Sequence, residues 1–419
     1  MKKKLTIAVI GSGGREHALA WKLGRSPKVE ALVLIPGNGG TEPNIGIDIA
    51  DIEALKQYCL GARVDLVVVG PETPLCEGIV DAFDGTGIRV FGPHKAAARL
   101  EGSKIYSKNF MKKYGVATAD FAVFGGADDP AEMIRSHKGK VVVKYDGLAA
   151  GKGVYVCSSE EEARAAVADI RAKYGENANY LIETKLQGQE LSVIGITDGK
   201  SINCLLPSQD HKAALDGDKG PNTGGMGAYC PAPAATEAVL DAIDETIILP
   251  TLNGIEAEGF RYRGVIYFGI MLTETGPKLL EYNVRFGDPE TEVILPSLKS
   301  DLLDLILAAF DGTLGDIEPE FSENYFVDVV LASGGYPGPY EKNKLITGIA
   351  DLAADTLCFH SGTKREGEAL LTSGGRVLNI VCNDKDLKTA VDTCYREIRK
   401  VSFDSMYCRK DIAHRALGE

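Results

Sequence analysis

Over the first hundred residues, segments with a strand-like pattern of apolar positions alternate with segments that have a helix-like pattern. Short apolar runs predict strands, whereas apolar residues spaced three or four apart predict helices. The expected strands are Leu5–Ile10, Val29–Ile35, Val64–Val69 and Ile88–Phe91, and the expected helices are Arg15–Gly24, Asp51–Leu60, one beginning after Pro74 and one from Pro93. Because strands that alternate with helices form parallel sheets, this part predicts an α/β domain.

A mixed pattern follows from about residue 104 to residue 311, and another pattern occupies the last hundred residues. The middle part predicts helices, separated by strand pairs and glycine-rich loops, at Lys104–Tyr114, Asp129–Lys138 and Glu160–Tyr174. The last part predicts strands at Phe326–Leu331, Leu357–His360 and Arg376–Cys382, and a helix at Leu387–Lys400. Three lobes are therefore expected.

Alternation across Lys278–Glu290 separates an apolar face from a polar one. The expected apolar face holds Leu280, Tyr282, Val284 and Phe286, and the polar face holds Glu281, Asn283 and Arg285. Two oxygen donors and a guanidinium on one face suit a hard cation and an anionic oxygen. A half-solvated edge strand is the alternative. The preceding Gly264–Thr273 is apolar on both faces, however, and a polar strand beside a buried one favours a ligand cleft.

Composition narrows the classes of function. The chain has 419 residues, 44% of them apolar, and a net charge of −13 from 46 basic and 59 acidic residues. An acidic chain argues against nucleic-acid binding, and no apolar run is long enough to cross a bilayer. The lysine-rich start leads into Gly11–Gly14 and predicts a first strand, not a signal peptide. Nine cysteines without paired or metal-type spacing fit reduced thiols in a cytoplasmic protein.

Glycine-rich loops follow three expected strands of the first lobe. Gly11–Glu16 reads G-S-G-G-R-E, so the third glycine of a dinucleotide fingerprint is replaced by Glu16. A phosphate site remains, because a glycine turn leads into a helix N-terminus, and Gly13 is expected to need a positive φ. With Gly37–Thr41 and Gly70–Glu72, three loops are expected at one sheet edge. Ordinary turns are the alternative for each loop, but together the loops favour a phosphorylated small molecule.

The segment Val141–Val156 predicts two strands joined by a glycine-rich loop. Lys144 and Lys152 project from this hairpin, so it can fold over a polyphosphate and neutralise its charge. The spacing is not that of a Walker loop, and an ordinary hairpin is the alternative. Downstream, Glu183–Leu186 offers a strand edge for an adenine, and Glu190 offers a carboxylate for ribose hydroxyls.

A long irregular segment contributes Gln209–Lys212 and then Gly220–Gly227, which holds four glycines. Long loops inside compact domains are usually functional, although a flexible linker is the alternative.

In this order, the glycine hairpin, the Glu183–Leu186 edge and the strand with Glu281 and Asn283 resemble the ATP-grasp fold of carboxylate–amine ligases. Within that fold the chain resembles the phosphoribosylamine–glycine ligase (glycinamide ribonucleotide synthetase) family. The matching motifs are Gly11–Ala18, Gly37–Thr41, Leu100–Lys104, Asp146–Val154, Gln209–Lys212, Gly220–Tyr229, Arg285–Glu290, Ser333–Gly338 and Gly374–Leu378. They run through almost the whole chain.

The resemblance implies a fold and a reaction. The implied domains are a Rossmann-like substrate domain (residues 1–103), an ATP-grasp domain (104–322) with a mobile lid subdomain at about 120–190, and a C-terminal mixed β/α domain (323–419). The reaction joins glycine to 5-phosphoribosylamine in purine biosynthesis while ATP is cleaved to ADP and phosphate. Glycyl phosphate is the implied intermediate, and phosphoryl transfer depends mainly on positioning and charge neutralisation.

The resemblance also implies site residues. Mg²⁺, or Mn²⁺, is expected on Glu281 and Asn283, and the expected catalytic residues are Arg285, Lys212 and Lys144. ATP is expected at Lys104, Lys144, Gly151, Lys152, Gly153, Glu183, Lys185, Leu186 and Glu190. Glycine and 5-phosphoribosylamine are expected at Gly13, Gly14, Arg15, Glu16, Asn38, Gly39, Pro71, Glu72, Asp210, Gly225, Asp288 and Pro289.

Three other functions stay open at this point: another ATP-grasp ligase or carboxylase, a Rossmann oxidoreductase, and a nucleotide-binding module without catalysis. We expect a monomer or weak homo-oligomer with small-molecule substrates and no nucleic-acid or membrane partner.

Overall fold

The structure is a computed structural model that describes residues 4–126, 128–149 and 153–418. The elements of the first lobe are β1 (Leu5–Gly11), α1 (Gly14–Leu23), β2 (Val29–Pro36), α2 (Ile52–Gly61), β3 (Leu66–Val69), α3 (Glu72–Glu77), α4 (Ile79–Ala82), β4 (Arg89–Pro93) and α5 (Lys95–Gly102). The strands are parallel, as expected, and their order in the sheet is β2-β1-β3-β4. The helix expected after Pro74 begins at Glu72, because proline is tolerated in the first turn, where its missing N–H has no partner to lose.

The middle lobe begins with α6 (Lys104–Tyr114), β5 (Phe121–Phe124), α7 (Ala131–Ser136), β6 (Val141–Tyr145), β7 (Val154–Val156), α8 (Glu160–Tyr174) and β8 (Tyr180–Thr184). It continues with β9 (Gln189–Thr197), β10 (Ile202–Cys204), β11 (Gln209–Asp210), β12 (Ala213–Leu215), β13 (Lys219–Asn222), β14 (Gly227–Cys230), α9 (Glu237–Ile243), a π-helical turn (Asp244–Ile248), α10 (Leu249–Ala257), β15 (Tyr262–Thr273), β16 (Gly276–Asn283), α11 (Glu290–Ser297), α12 (Leu302–Asp311) and a 3₁₀ turn (Leu314–Asp316).

Strand β15 joins the first two lobes into one sheet. It pairs with β9 and β16 in the middle lobe, and its first residues pair with β4, so eight strands form a single hydrogen-bonded layer. The junction needs a glycine at position 264, because a Cβ there would lie 2.8 Å from the Cα of Gly92. The first-lobe loops and the polar strand β16 therefore belong to one continuous scaffold.

The part expected to act as a lid, β5–β8 with α7 and α8 (called the lid below), has a core of its own. Its strands make a separate sheet in the order β5-β8-β6-β7. Ile134, Val143, Ile170 and Tyr180 are fully buried within a cluster that contains only residues of the lid. A unit with its own core can shift relative to its neighbours without losing its internal packing.

A β-bulge interrupts the alternation expected along β16. Gly269 of β15 pairs with Glu281, and the next residue, Ile270, pairs with Leu279, so Leu280 is skipped. Leu279 is fully buried and Leu280 only partly, so placing Leu280 on the apolar face was wrong. A bulge adds one residue to a strand and shifts its side-chain phase. Tyr282, Val284 and Phe286 are buried as expected.

The third lobe contains β17 (Tyr325–Ser333), a 3₁₀ turn (Ile349–Asp351), β18 (Leu357–His360), β19 (Thr363–Glu366), β20 (Ala369–Thr372), β21 (Arg376–Asp384), α13 (Leu387–Ile398), β22 (Met406–Tyr407) and α14 (His414–Leu417). Its sheet runs β11-β14-β17-β21-β18, with β22 beside β17, and so includes two strands of the middle lobe. The lone tryptophan, Trp21 on α1, packs edge-on against Phe359 of β18 at 5.7 Å between ring centroids.

Two further observations complete the fold. Within the described ranges no helix has both the length and the apolar character needed to cross a membrane. All nine cysteines lie in the described part of the chain and are free thiols.

Candidate active site

Two expected phosphate-binding lysines converge between the lid and α6. Lys104, at the start of α6, donates from Nζ to the carbonyl of Gly147 in the lid hairpin at 2.9 Å. Burial lowers the pKa of Lys104, while the nearby Glu281 raises it in part. Lys144 on β6 donates to the carbonyl of Leu280, at the bulge of β16, at 3.3 Å. Lysines from two elements therefore face the strand that carries the expected cation ligands.

Glu183 is held by two lysines instead of facing a ligand freely. Its side chain is 2% exposed, one oxygen forms an ion pair with Lys144, and the other lies 2.6 Å from Nζ of Lys108. Burial opposes ionisation of Glu183, but the two lysines outweigh it and lower its pKa. The side chain is thus an ionised partner of both lysines.

The other expected ATP residues lie along the lid hairpin and the end of β8. The carbonyl of Gly153, just before β7, accepts the N–H of Tyr145 at 2.8 Å. Lys185 is partly exposed and donates to Ser158 Oγ at 2.9 Å. Leu186 is partly exposed beside it. Gly151 and Lys152 lie outside the described residues.

Lys212 is bound by carboxylates from β9 and β11. Its Nζ lies 2.7 Å from Glu190 Oε2 and 3.4 Å from Asp210 Oδ1. Burial raises the pKa of Asp210 to about 7 with help from Glu290 and Glu190, although Lys212 opposes the shift. The pKa of Glu190 is lowered, chiefly by Lys212. The structure thus brings Lys212, Asp210 and Glu190 into one cluster.

Glu281 and Asn283 lie side by side at the end of β16, each partly exposed. Arg285, which follows the strand, donates from Nη2 to Asn283 Oδ1 at 3.3 Å. The same guanidinium contacts Glu101 at 3.1 Å and Glu72 at 3.5 Å. Oxygen donors of this kind suit Mg²⁺ or Mn²⁺, so the pair fits a divalent cation, and Arg285 fixes the orientation of one donor.

The first glycine loop is built around Glu16. Its carboxylate accepts the N–H of Gly13 at 2.6 Å and pairs with Nε of Arg15 at 2.5 Å. A Cβ on Gly11 would lie 2.5 Å from the Glu16 side chain, and Gly11 has the positive φ, +127°. Gly13 has φ −84°, so the positive φ expected there was wrong. With an exposed fraction of 2%, Glu16 holds the turn of this loop in place through the N–H of Gly13.

The loop after β2 is tied to the third lobe. Asn38 donates to the carbonyl of His360 at 2.6 Å and to that of Ser12 at 3.0 Å. The N–H of Gly39 donates to the carbonyl of Thr363 at 3.0 Å. Both expected substrate residues therefore hold the glycine loop against β18 and β19.

Arg376 of β21 connects the remaining substrate residues. It forms an ion pair with Asp288 at 2.9 Å and donates to the carbonyl of Gly224 at 2.8 Å. A Cβ on Gly225 would lie 2.3 Å from Pro289, so glycine allows the two loops to touch. A Cβ on Gly13 would lie 3.2 Å from Asp288 Oδ2, which places this carboxylate next to the first glycine loop.

Helices α1 and α3 complete this face. Arg15 donates to the carbonyl of Phe286 at 3.1 Å, and Pro71 caps α3, whose first residue is Glu72. The expected substrate residues of the first lobe therefore lie close to those of the loop after β16, and in the third lobe His360 contacts the first set and Arg376 the second.

Three family models match the chain in succession. They are described as phosphoribosylglycinamide synthetase N domain (residues 5–101), ATP-grasp (A) domain (residues 102–291) and C domain (residues 326–415). The phosphoribosylamine–glycine ligase of Rhodopirellula baltica is 44% identical over 429 residues, which covers 99% of this chain and 98% of that protein. The chain belongs to the phosphoribosylamine–glycine ligase family.

Further relatives agree with this membership. The phosphoribosylamine–glycine ligase of a Synechocystis species is 45% identical over 422 residues, covering 99% of this chain and all of that protein. The crystal structure of the Thermotoga maritima phosphoribosylamine–glycine ligase matches with a TM-score of 0.85 at 36% identity, covering 98% of this chain and 100% of that one. The expected family, fold class and enzyme class, an ATP-grasp carbon–nitrogen ligase, are confirmed. ATP and a divalent metal follow from the ATP-grasp fold.

Several residues of this ligase site were missed by sequence reasoning. These residues are Lys108, Glu101, Arg376, His360 and Arg409, and of them Lys108, His360 and Arg409 lie in none of the motifs found in the sequence. A stronger signal was available for two of them, because Glu101 lies within Leu100–Lys104 and Arg376 within Gly374–Leu378, both motifs of the phosphoribosylamine–glycine ligase family.

The loop that carries Lys212 is anchored by the end of the chain. Burial lowers the pKa of His211 to about 3, so its ring is neutral, and Nε2 accepts the N–H of Ala413 at 3.1 Å. Arg409, fully buried, contacts Asp218 at 3.0 Å and Asp411 at 2.7 Å. The C-terminal residues thus fix the loop between β11 and β13 of the ligase.

Proposed function

We propose that this chain joins glycine to 5-phosphoribosylamine and forms glycinamide ribonucleotide, ADP and phosphate. The observation that carries the proposal is full-length similarity to phosphoribosylamine–glycine ligases, with 44% identity over 99% of the chain. The first glycine loop adds support, because Arg15 at its end contacts Phe286, three residues after the expected cation ligand Asn283. Glycyl phosphate is the proposed intermediate.

In the first step, a carboxylate oxygen of glycine attacks the γ-phosphorus of ATP, and ADP leaves. This step needs positive charge around the transferred phosphoryl group. Lys104 and Lys144 are proposed to supply it near the nucleotide, and Lys212 is proposed to supply it from the loop after β11. Loss of a single preorganised donor typically costs about 10²–10³ in rate. Arg285 is proposed to orient the transferred phosphoryl group or the glycine carboxylate from its anchored position between Glu72 and Glu101.

In the second step, the amine of 5-phosphoribosylamine attacks the acyl carbon, phosphate leaves and the amine loses one proton. The backbone of Gly13 and Gly14, at the N-terminus of α1, is proposed to hold the substrate phosphate. Asp288 lies beside this loop and is proposed to contact the substrate near its amine.

Glu281 and Asn283 are proposed to hold the divalent cation, Mg²⁺ or Mn²⁺, because both offer the oxygen donors that these ions prefer. When bound, the cation neutralises phosphate charge during transfer. Two side chains support the proposed cation ligands. Arg285 orients Asn283, and Lys104 balances the charge of the nearby Glu281.

We also propose domain limits at residues 103/104 and 322/323, with the lid at about 120–190. The family models, which change at residues 101/102 and leave 292–325 between the second and third models, support these limits.

The test is an assay of ADP release with glycine and freshly generated 5-phosphoribosylamine, each omitted in turn. The proposal requires release only when both are present, with glycinamide ribonucleotide identified by mass. ADP release that depends on a different amine or carboxylate would assign the chain to another ligase reaction.

A further inference from the structure

Lys108 occupies a position that the proposed reaction does not use directly. It lies on α6, its side chain is 3% exposed, and its Nζ lies 2.6 Å from Glu183 Oε2. The same Nζ donates to Thr118 Oγ1 at 2.6 Å, and this hydroxyl donates to the carbonyl of Leu279 at 2.6 Å. Lys108 is therefore tied to both the lid and β16.

These contacts close into a ring. Lys144, the other partner of Glu183, donates to the carbonyl of Leu280, next to Leu279 in the bulge of β16. The bulge turns two successive carbonyls towards the cluster, one for Thr118 and one for Lys144. The ring thus connects β6 and β8 of the lid with the strand that ends in the cation ligands.

The ring contains two cations and one anion. Lys108, Lys144 and Glu183 are all almost fully buried, so water solvates and screens their charges very little. A buried carboxylate that loses its only partner is strongly unfavourable. If Lys144 alone paired with Glu183, its movement towards a nucleotide phosphate would leave that carboxylate without a cation.

We propose that Lys108 is a positioning residue that serves as the permanent counter-ion of Glu183, so that Lys144 can exchange Glu183 for the nucleotide phosphates. The arrangement also leaves a net positive charge in the cluster, which favours a polyanion. The inference rests on the proposed contact between Lys144 and ATP.

The test uses binding of a non-hydrolysable ATP analogue with Mg²⁺, measured by calorimetry, so that no turnover is needed. Lys108→Met should weaken binding by about 10- to 100-fold, the range of coupling between charged neighbours. Because the loss arises from an uncompensated Glu183, adding Glu183→Gln should restore binding to within about threefold of the Glu183→Gln single variant. Lys112→Met, an exposed lysine one turn further along α6, is the matched control and should bind like the unmodified chain.

Two outcomes overturn the proposal. One is normal binding by Lys108→Met, and the other is a Lys108→Met/Glu183→Gln variant that binds as weakly as Lys108→Met, which indicates only a packing role. The underlying assignment is tested separately by Lys144→Met: normal analogue binding in that variant would refute the ATP contact itself.

A second pair of variants tests the ring without removing a charge. Thr118→Val deletes the hydroxyl that holds Lys108 while keeping the shape of the side chain, and it should weaken analogue binding by about threefold or more. Thr118→Ser should restore it. If the valine and serine variants bind the analogue equally well and both show normal thermal unfolding, Lys108 does not influence nucleotide binding. This comparison remains decisive even if Lys108→Met does not fold.

Discussion

His17 and His360 are joined by a hydrogen bond that depends on protonation. The backbone N–H of His360 donates to Nδ1 of His17 at 2.9 Å, and the two rings lie 5.5 Å apart. Burial lowers the pKa of His17 to about 4 and that of His360 to about 3. Because Nδ1 can accept only when unprotonated, this hydrogen bond between α1 and β18 requires a neutral His17.

This relationship predicts a loss of stability in mild acid. Histidines of the unfolded chain titrate near pH 6.5, so between about pH 6.5 and 4 the unfolded state binds more protons than the folded state. The free energy of unfolding should therefore fall as the pH falls through this window, by up to about 1.4 kcal/mol per pH unit for one histidine. Denaturant unfolding of the His17→Gln variant should show a shallower dependence on pH. His94→Gln, at a histidine that contacts Asp84 and Arg261 instead, is the control, and equal slopes for both variants would contradict the role of His17.

Glu281→Gln should reduce ADP formation by about 10²-fold or more, because the substitution removes the charged donor proposed for the cation. Steady-state assays over a range of Mg²⁺ concentrations measure the effect. Glu274→Gln, exposed in the turn before the same strand, should behave like the unmodified chain. Unchanged rates for Glu281→Gln at millimolar Mg²⁺ would remove β16 from the active site.

Lys144→Ala should lower the rate by about 10²–10³, as expected for loss of one preorganised cationic donor. The exposed Lys140, at the edge of β6, gives the control variant Lys140→Ala. Single-turnover measurements separate the chemical step from product release. Similar rates for the two variants would indicate that Lys144 only pairs with Glu183.

The lid hairpin should be cut by a protease when the site is empty and protected when an ATP analogue is bound. The reason is that Lys104 and Lys144 connect the lid to the cleft, so phosphates between them should hold the lid closed. Limited proteolysis with mapping of the cleavage sites between β6 and β7 tests this prediction. Equal cleavage with and without nucleotide would argue against closure.

Gly13→Val should raise the apparent KM for 5-phosphoribosylamine and leave the affinity for ATP nearly unchanged. A Cβ at Gly13 would lie 2.9 Å from Glu16 Oε2 and 3.2 Å from Asp288 Oδ2, so it would disturb the amine side of the cleft. Calorimetry with an ATP analogue and initial-rate kinetics measure the two affinities. Gly46→Ala, where a Cβ meets no atom within 4 Å, is the control. Loss of nucleotide binding in a folded Gly13→Val variant would indicate that the first lobe binds the nucleotide, which contradicts the proposal that ATP binds in the middle lobe.

The sequence predicted elements best where a local period was strong. Helices α6 and α8 have the expected bounds, because their apolar faces and capping serines, Ser103 and Ser159, are all encoded locally. The bulge at Leu280 was not predictable, since it depends on how β16 pairs with β15. The same holds for the sheet that joins the first two lobes, which requires Gly92 to meet Gly264 across more than 170 residues of chain.

The candidate site was predicted in part for the same reason. Glu281 and Asn283 are neighbours on one strand, so alternation alone placed them together. Arg285 was expected to face a substrate, yet it also binds Glu101, which lies 184 positions earlier and carried no local sign of that contact. Lys108 was missed because a lysine within a helix rich in lysines resembles a solvated face, and only tertiary structure shows that it is buried.

The packing of Trp21 on Phe359 makes tryptophan fluorescence a probe of the contact between α1 and β18. Indole emission depends on the polarity of its surroundings, and the chain has a single tryptophan, so the whole tryptophan signal arises where α1 meets β18. Arg25 lies 3.9 Å from the centre of the same ring, on the solvent side of the helix. Separation of the first and third lobes would therefore change the emission spectrum, whereas lid closure would leave it nearly constant.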